Sequence, residues 1–315
     1  MSFLKSLFGG VDKSAPEDKE KNNQKNFDIL KYDGIRALHI QRADYAIECF
    51  KRALDIRPDR EVYDNLAHAY ASTGKTEDAR RTLATWIEFE PQNPQAYTFL
   101  ANIDFLLEDY ESMEEACQHA LEYETNNPIL DYLTARAKIG LGKNTEAIEY
   151  LDKAIVLKDD YQDAYLLRAH LLIKAEDKKR ALSDIDRMLT LDPTHEEAAL
   201  MKANLMMNEG NKKEAEESIK GVIAANPFNR DAYLQLGSLY QEEKNYEKAI
   251  VVYDEAIEVL PEFVDAYEER SKAKAAAGDE AGAEEDRRKA QELHPDEPTD
   301  TALPDYEKMK QNIPF

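Results

Sequence analysis

The 315-residue chain is poor in cysteine, tryptophan and glycine, with two, one and 11 residues of each. Cys49 and Cys117 are too few and too far apart in sequence for a disulfide-built domain or a metal pair. Sparse thiols fit a reducing compartment, so a cytoplasmic location is expected. No apolar run is long enough to span a membrane. The first ten residues are too short and too broken for a secretory core. Positive charge is also scarce: 41 Lys and Arg face 64 Asp and Glu, for a net charge of −23. Such a chain repels polyanions, so no nucleic-acid partner is expected.

The usual marks of chemistry are missing as well. No two of the six histidines stand at metal-ligand spacing. His195-Glu196-Glu197 is followed by Ala199 where a metalloprotease helix needs its second histidine. Gly74-Lys75 and Gly142-Lys143 imitate phosphate loops, but Ala69 and Ala137 replace the first glycine and no strand precedes either. Both are read as turns between helices. No catalytic set, cofactor site or metal site is found, and the chain is not expected to be an enzyme.

What the chain has is a period. A small residue returns every 34 positions at Ala67, Ala101, Ala135, Ala169, Ala203, Gly237 and Ser271, with Gly34 one step out of register. A second column runs through Ala79, Met113, Ala147, Ala181, Ala215, Ala249 and Ala283. A fixed period of this size predicts a stack of similar two-helix units. In the unit from Arg230 to Phe263, Tyr233, Leu236, Gly237 and Tyr240 have helical spacing. Tyr246, Ala249, Ile250, Tyr253, Ala256 and Ile257 repeat it, and Pro261 stops the second helix. Gly237 and Ala249 are expected to be small because two helices cross closely there.

These residues resemble the tetratricopeptide repeat. Its aromatic, Leu-Gly, Tyr, Ala, aromatic, Ala and Pro positions occur in order. Eight units start near Phe27, Arg60, Pro94, Pro128, Gln162, Glu196, Arg230 and Val264. Asp131 and Ala199 replace the first-helix aromatic in units four and six, and Thr125 and Asp159 replace the closing proline in units three and four. The resemblance implies an all-α, right-handed superhelical solenoid of eight helix–turn–helix units over residues 27–297. Residues 1–26 are expected to be a flexible segment with a short amphipathic stretch at Phe3, Leu4, Leu7 and Phe8. Residues 298–315 are expected to form a capping helix with Tyr306, Met309 and Ile313 on one face.

The family's groove positions, carried onto this chain, pick out a partner-binding strip: Phe99, Leu106, Tyr132, Leu133, Leu166, Leu167, Leu200 and Met201. A polar column at His68, Asn102, Arg136, His170 and Asn204 runs beside it. Apolar pockets beside hydrogen-bonding groups suit a peptide or helix of a protein partner. Packing between neighbouring helices explains the same apolar residues, and local helix carbonyls the same polar ones. The chain's own termini are a further candidate occupant. Leu133→Glu with Leu167→Glu is expected to abolish capture of a partner while leaving helix content intact. Asp231, Glu242, Asp265, Glu268 and Glu269 make the far end acidic. The carboxylate clamp of the family's co-chaperones is not matched: Lys31 and Asn65 fit it, but Ile35, Gln95 and Phe99 do not. The function expected is a non-enzymatic protein-interaction scaffold in complex assembly, a chaperone-like role or regulation. The alternative is a structural subunit that forms oligomers or touches a membrane, marginally, through residues 1–8 or the convex face.

Overall fold

The computed structural model describes residues 16–293. The amphipathic stretch at residues 3–8 and the expected cap at 298–315 lie outside the described residues. Sixteen α-helices and no strand occur among the described residues. They form eight pairs. The first four are α1 (Pro16–His39) with α2 (Ala43–Ile56), α3 (Arg60–Ser72) with α4 (Thr76–Phe89), α5 (Pro94–Leu106) with α6 (Tyr110–Tyr123), and α7 (Pro128–Gly140) with α8 (Asn144–Leu157). The last four are α9 (Gln162–Lys174) with α10 (Lys178–Leu191), α11 (Glu196–Asn208) with α12 (Lys212–Ala225), α13 (Arg230–Glu242) with α14 (Tyr246–Val259), and α15 (Val264–Ala277) with α16 (Glu280–Leu293).

Local chemistry sets these boundaries. Asp59, Asn93, Asp109, Asn127, Asp177, Asn229 and Asn245 each accept a backbone N–H at the start of a helix, as does the His195 ring. Each cap satisfies one of the donors that a helix leaves open at its N-terminus. The turn inside each pair is equally regular. Its backbone enters the left-handed region at Gln41, Gly74, Glu108, Gly142, Glu176, Gly210, Lys244 and Gly278. The residue after each donates its N–H back to the ending helix, as in Lys75 to the Tyr70 carbonyl and Asn245 to the Tyr240 carbonyl at 2.9 and 2.8 Å. Such a bond closes a helix on a left-handed residue. Gly74 and Gly142, the glycines of the two phosphate-loop imitations, therefore serve a turn.

The small-residue columns mark close approach. A Cβ placed on Gly237 falls 2.2 Å from the Tyr253 ring, and one on Gly34 falls 2.5 Å from Phe50. Neither ring has room to yield, because both side chains are fully buried.

Two compact units result, the first ending at Leu157 and the second beginning at Lys158. In the first unit, buried clusters centre on Phe27 and Phe50, on Leu83 and Trp86, and on Met113 and Cys117. In the second, a cluster runs from Leu200 through Tyr233 and Tyr253 to Phe263 and Ala273. Cys49 and Cys117 are free and buried, and burial raises both thiols, that of Cys117 to about 12. Neither is poised for nucleophilic chemistry.

One boundary differs from the sequence expectation. Residues 16–26 are helical rather than part of a flexible segment. Pro16 stands at the helix start, where its fixed φ and missing N–H are tolerated, and no glycine or proline follows before Gly34. Lys, Glu and Gln extend a helix without a core to bury, and the Gln24 amide donates to Asp28 one turn on at 2.9 Å.

Candidate functional site

In the first unit, α1 lies against α3 and α5 against α7, so the first helices of the pairs share a face. His68, on α3, reaches across to α5: its ring centroid lies 4.3 Å from that of Phe99. Its Nε2 is 3.6 Å from Asp64 Oδ1, one turn earlier on α3. Burial raises the Asp64 carboxyl, and the neighbouring His68 and Arg60 only partly offset this. Arg136, on α7, repeats the bridging arrangement, its guanidinium lying 3.6 Å from the Phe105 ring centroid of α5 and 5.8 Å from that of Tyr132. A cation over an aromatic face gains from the ring quadrupole and keeps its outer edge wet. Asn102 is satisfied locally, its Nδ2 donating to the Thr98 carbonyl at 3.0 Å.

The apolar members of the strip divide by depth. Phe99 and Leu133 are 8% and 3% exposed and belong to the packing between helices. Leu106 and Tyr132 are half-buried, and Ile129, beside them on α7, is 51% exposed. The first unit thus brings together His68, Phe99, Asn102, Leu106, Tyr132, Leu133 and Arg136 on one set of first helices.

The remaining six residues belong to the second unit. His170 Nε2 lies 2.9 Å from Glu197 Oε1, joining α9 to α11. Asn204 is exposed and accepts from Asn208 Nδ2 at 3.1 Å. Leu166 is half-buried, whereas Leu167, Leu200 and Met201 are buried. Leu133 and Leu167, at 3% and 5% exposure, make the double substitution to Glu a test of folding instead of capture, since it forces charge into packed sites. The acidic residues Glu242 and Glu269 have cationic neighbours, Lys212 at 3.7 Å and Lys272 at 2.6 Å.

Sequence reasoning missed two carboxylates. Glu197 is the carboxylate that faces His170, and only the stacking of successive pairs brings α11 beside α9 there. Asp64 precedes His68 by four residues, the spacing of a shared helix face, and this signal was present in the sequence. Among the described residues no group of three His, Cys, Asp or Glu is placed to hold a metal ion. No described helix is long and apolar enough to cross a membrane.

Models of the tetratricopeptide repeat match residues 39–103, 94–127, 132–196, 172–240 and 231–263. The chain belongs to the tetratricopeptide repeat family. Proteins of this family in general mediate protein–protein contacts and are in general not catalysts. Human tetratricopeptide repeat protein 13 is 31% identical over 134 residues, which are 42% of this chain and 16% of that protein. The co-chaperone sgt12 of Aspergillus fumigatus is 30% identical over 100 residues, 31% of this chain and 29% of that one. The matched part of this tetratricopeptide repeat chain thus spans less than a third of either relative. A crystal structure of a tetratricopeptide repeat protein from Parabacteroides merdae has a TM-score of 0.60 at 21% identity, covering 74% of this chain and 93% of that one. It shows the same fold.

Proposed function

We propose that the chain is a non-enzymatic scaffold whose first-helix face holds a peptide or helical segment of a partner protein, in complex assembly, a chaperone-like role or regulation. The observation that carries this reading is the aromatic and cationic face of the first unit, where His68 meets Phe99 and Arg136 covers Phe105. Tyr132, Leu106 and Ile129 stand beside them with surface left open. His68, Tyr132 and the Arg136 guanidinium, set on the buried Phe99 and Phe105 rings, offer contact area at small entropic cost, and such residues dominate binding energy where they occur at interfaces. Phe99 and Leu133 then act as the floor that holds this face in place. A cytoplasmic location belongs to the same proposal, on the strength of the two free, buried thiols.

Within the chaperone-like reading, a clamp for a terminal carboxylate is disfavoured. Lys31, the one clamp lysine in register, lies 3.1 Å from Asp59 and 2.6 Å from Glu61, so its charge is already met. The likeness to a fungal co-chaperone rests on the repeat and does not bring the clamp with it.

Ile129→Glu with Tyr132→Ala tests the face without disturbing the core, since Ile129 is largely exposed near the start of α7, where a carboxylate is favoured. The expected outcome is loss of crosslinked partner in affinity capture from the native cell, with helix content by circular dichroism unchanged. Capture equal to that of the wild-type chain excludes this face as the binding site.

A further inference from the structure

Every first helix of the first unit except α1 packs against the second helix of the preceding pair: α3 on α2, α5 on α4 and α7 on α6. No described helix precedes α1, whose substantial contacts are with α2 and α3, so among the described residues the corresponding face of α1 has no helix packed on it. Four of the eleven exposed large apolar side chains among the described residues belong to this first pair: Ile29, Tyr32, Ile40 and Tyr45. Ile29 and Tyr32 lie in a shallow groove along α1 with Lys21, Lys25, Asp28, Asp33 and Arg36 at its sides. Ile29, Tyr32 and Arg36 follow the three- and four-residue spacing of one helix face, and Ile40 stands four residues on in the turn that follows.

We propose that residues 3–8 of the same molecule cover this face and so cap the first repeat. Their chemistry is complementary. Phe3 with Leu7, and Leu4 with Phe8, stand four residues apart, so one helical turn gathers all four apolar side chains on one side. The reach is sufficient. Ile29 lies about 20 Å along the helix from Pro16, and the eight residues from Phe8 to Pro16 extend to about 26 Å. Gly9-Gly10 permits a reversal of the chain between the two elements. A second copy is a poorer occupant. In an antiparallel pairing of two α1 helices about the midpoint of Ile29 and Tyr32, Lys25 faces Arg36 and Asp28 faces Asp33, so like charges oppose. Covering the face in this way also withdraws residues 3–8 from the first-helix groove and from any lipid surface.

The full-length chain carrying Ser6→Cys and Arg36→Cys tests the proposal, with Ser6→Cys and Val156→Cys as control. Val156 is 83% exposed on α8, three pairs away in the same unit, and the native thiols are buried. Under mild oxidation the first pair is expected to form an intramolecular disulfide about tenfold faster than the control, because docking raises the effective concentration of the two thiols. Adding Leu4→Asp with Leu7→Asp is expected to lower that rate severalfold, because the tether is unchanged and only the docking is lost. A control-level rate in the parent pair overturns the proposal, and if the chain then sediments with phosphatidylserine vesicles the segment belongs to a membrane instead. A disulfide only between chains overturns it in favour of a second copy. A fast rate that the aspartates leave unchanged also overturns it, since tethering alone then accounts for the bond.

Discussion

Asp104 has no exposed surface, and burial pushes its carboxyl up to about 6 although Arg80 Nε lies 2.8 Å from Oδ1. Neither oxygen receives a well-aligned hydrogen bond, and Arg80 is shared with Asp109 at 2.6 Å, so the attraction offsets only part of the desolvation. The folded state therefore holds this proton more firmly than the unfolded chain does. The resulting stability is fully present below the ordinary carboxylate range and is lost as the pH rises through 6, a change of about 3 kcal/mol. Asp104→Asn is expected to remove that loss: urea unfolding at pH 4 and pH 7 should show a flatter dependence and a more stable variant at pH 7. Equal pH dependence in the two proteins contradicts the assignment. The turns offer a second test at this scale. Gln41, Glu108, Glu176 and Lys244 hold φ between 58° and 61°, a region costly to any residue with a Cβ. Lys244→Gly, copying the residue found at 74, 142, 210 and 278, should stabilise the chain by about 0.5–1 kcal/mol in chemical denaturation.

Between helices of a pair, two repeats replace an apolar contact with an ionic one. Arg168 and Arg270 occupy the position of Leu66, Leu100 and Leu236, and each meets a buried aspartate on the second helix. Arg168 Nε and Nη2 donate to Asp184 at 2.8 and 2.6 Å, and Arg270 makes the matching pair with Asp286 at 2.9 and 2.6 Å. Lys274 adds a third donor to Asp286 at 2.8 Å. Burial acts to raise the Asp286 carboxyl, but the Arg270 and Lys274 bonds prevail and hold it below the ordinary range. Here the sign is opposite to that of Asp104: the stabilisation is present above the ordinary carboxylate range and is lost as the pH falls through the depressed value. Asp286→Ala leaves Arg270 partly orphaned and should cost about 3 kcal/mol, read by thermal unfolding at pH 7. Arg270→Leu with Asp286→Val, which restores the pairing of Leu236 with Val252, should recover that loss. The phase of these helices was legible, because the period places Arg60, Pro94, Pro128, Gln162, Glu196, Arg230 and Val264 at helix starts, where the structure has them. The depth of the strip was not. Leu133, Leu167 and Met201 occupy groove positions of the family, yet they are as apolar as core residues, and only the contacts of neighbouring first helices decide between the two. The early start of α1 escaped for a related reason, since a polar helix has no apolar periodicity to betray it.

The period continues unbroken from Leu157 to Lys158, so nothing in the sequence marked the division into two compact units of four pairs. Each unit carries its own buried clusters. Residues 16–157 and 158–293, produced as separate chains, are therefore each expected to be helical and to unfold cooperatively in urea. A fragment with coil-like circular dichroism excludes autonomy for that half. The substantial helix–helix contacts inside each unit join elements one or two places apart in the chain. Little loop entropy stands in the way of such contacts, and chains built from them fold quickly. During synthesis, each helix meets its main packing partners within the next one or two elements to be made. The growing chain thus hides its apolar surface pair by pair as it is translated, and little of it is left for aggregation while the rest of the message is still being read.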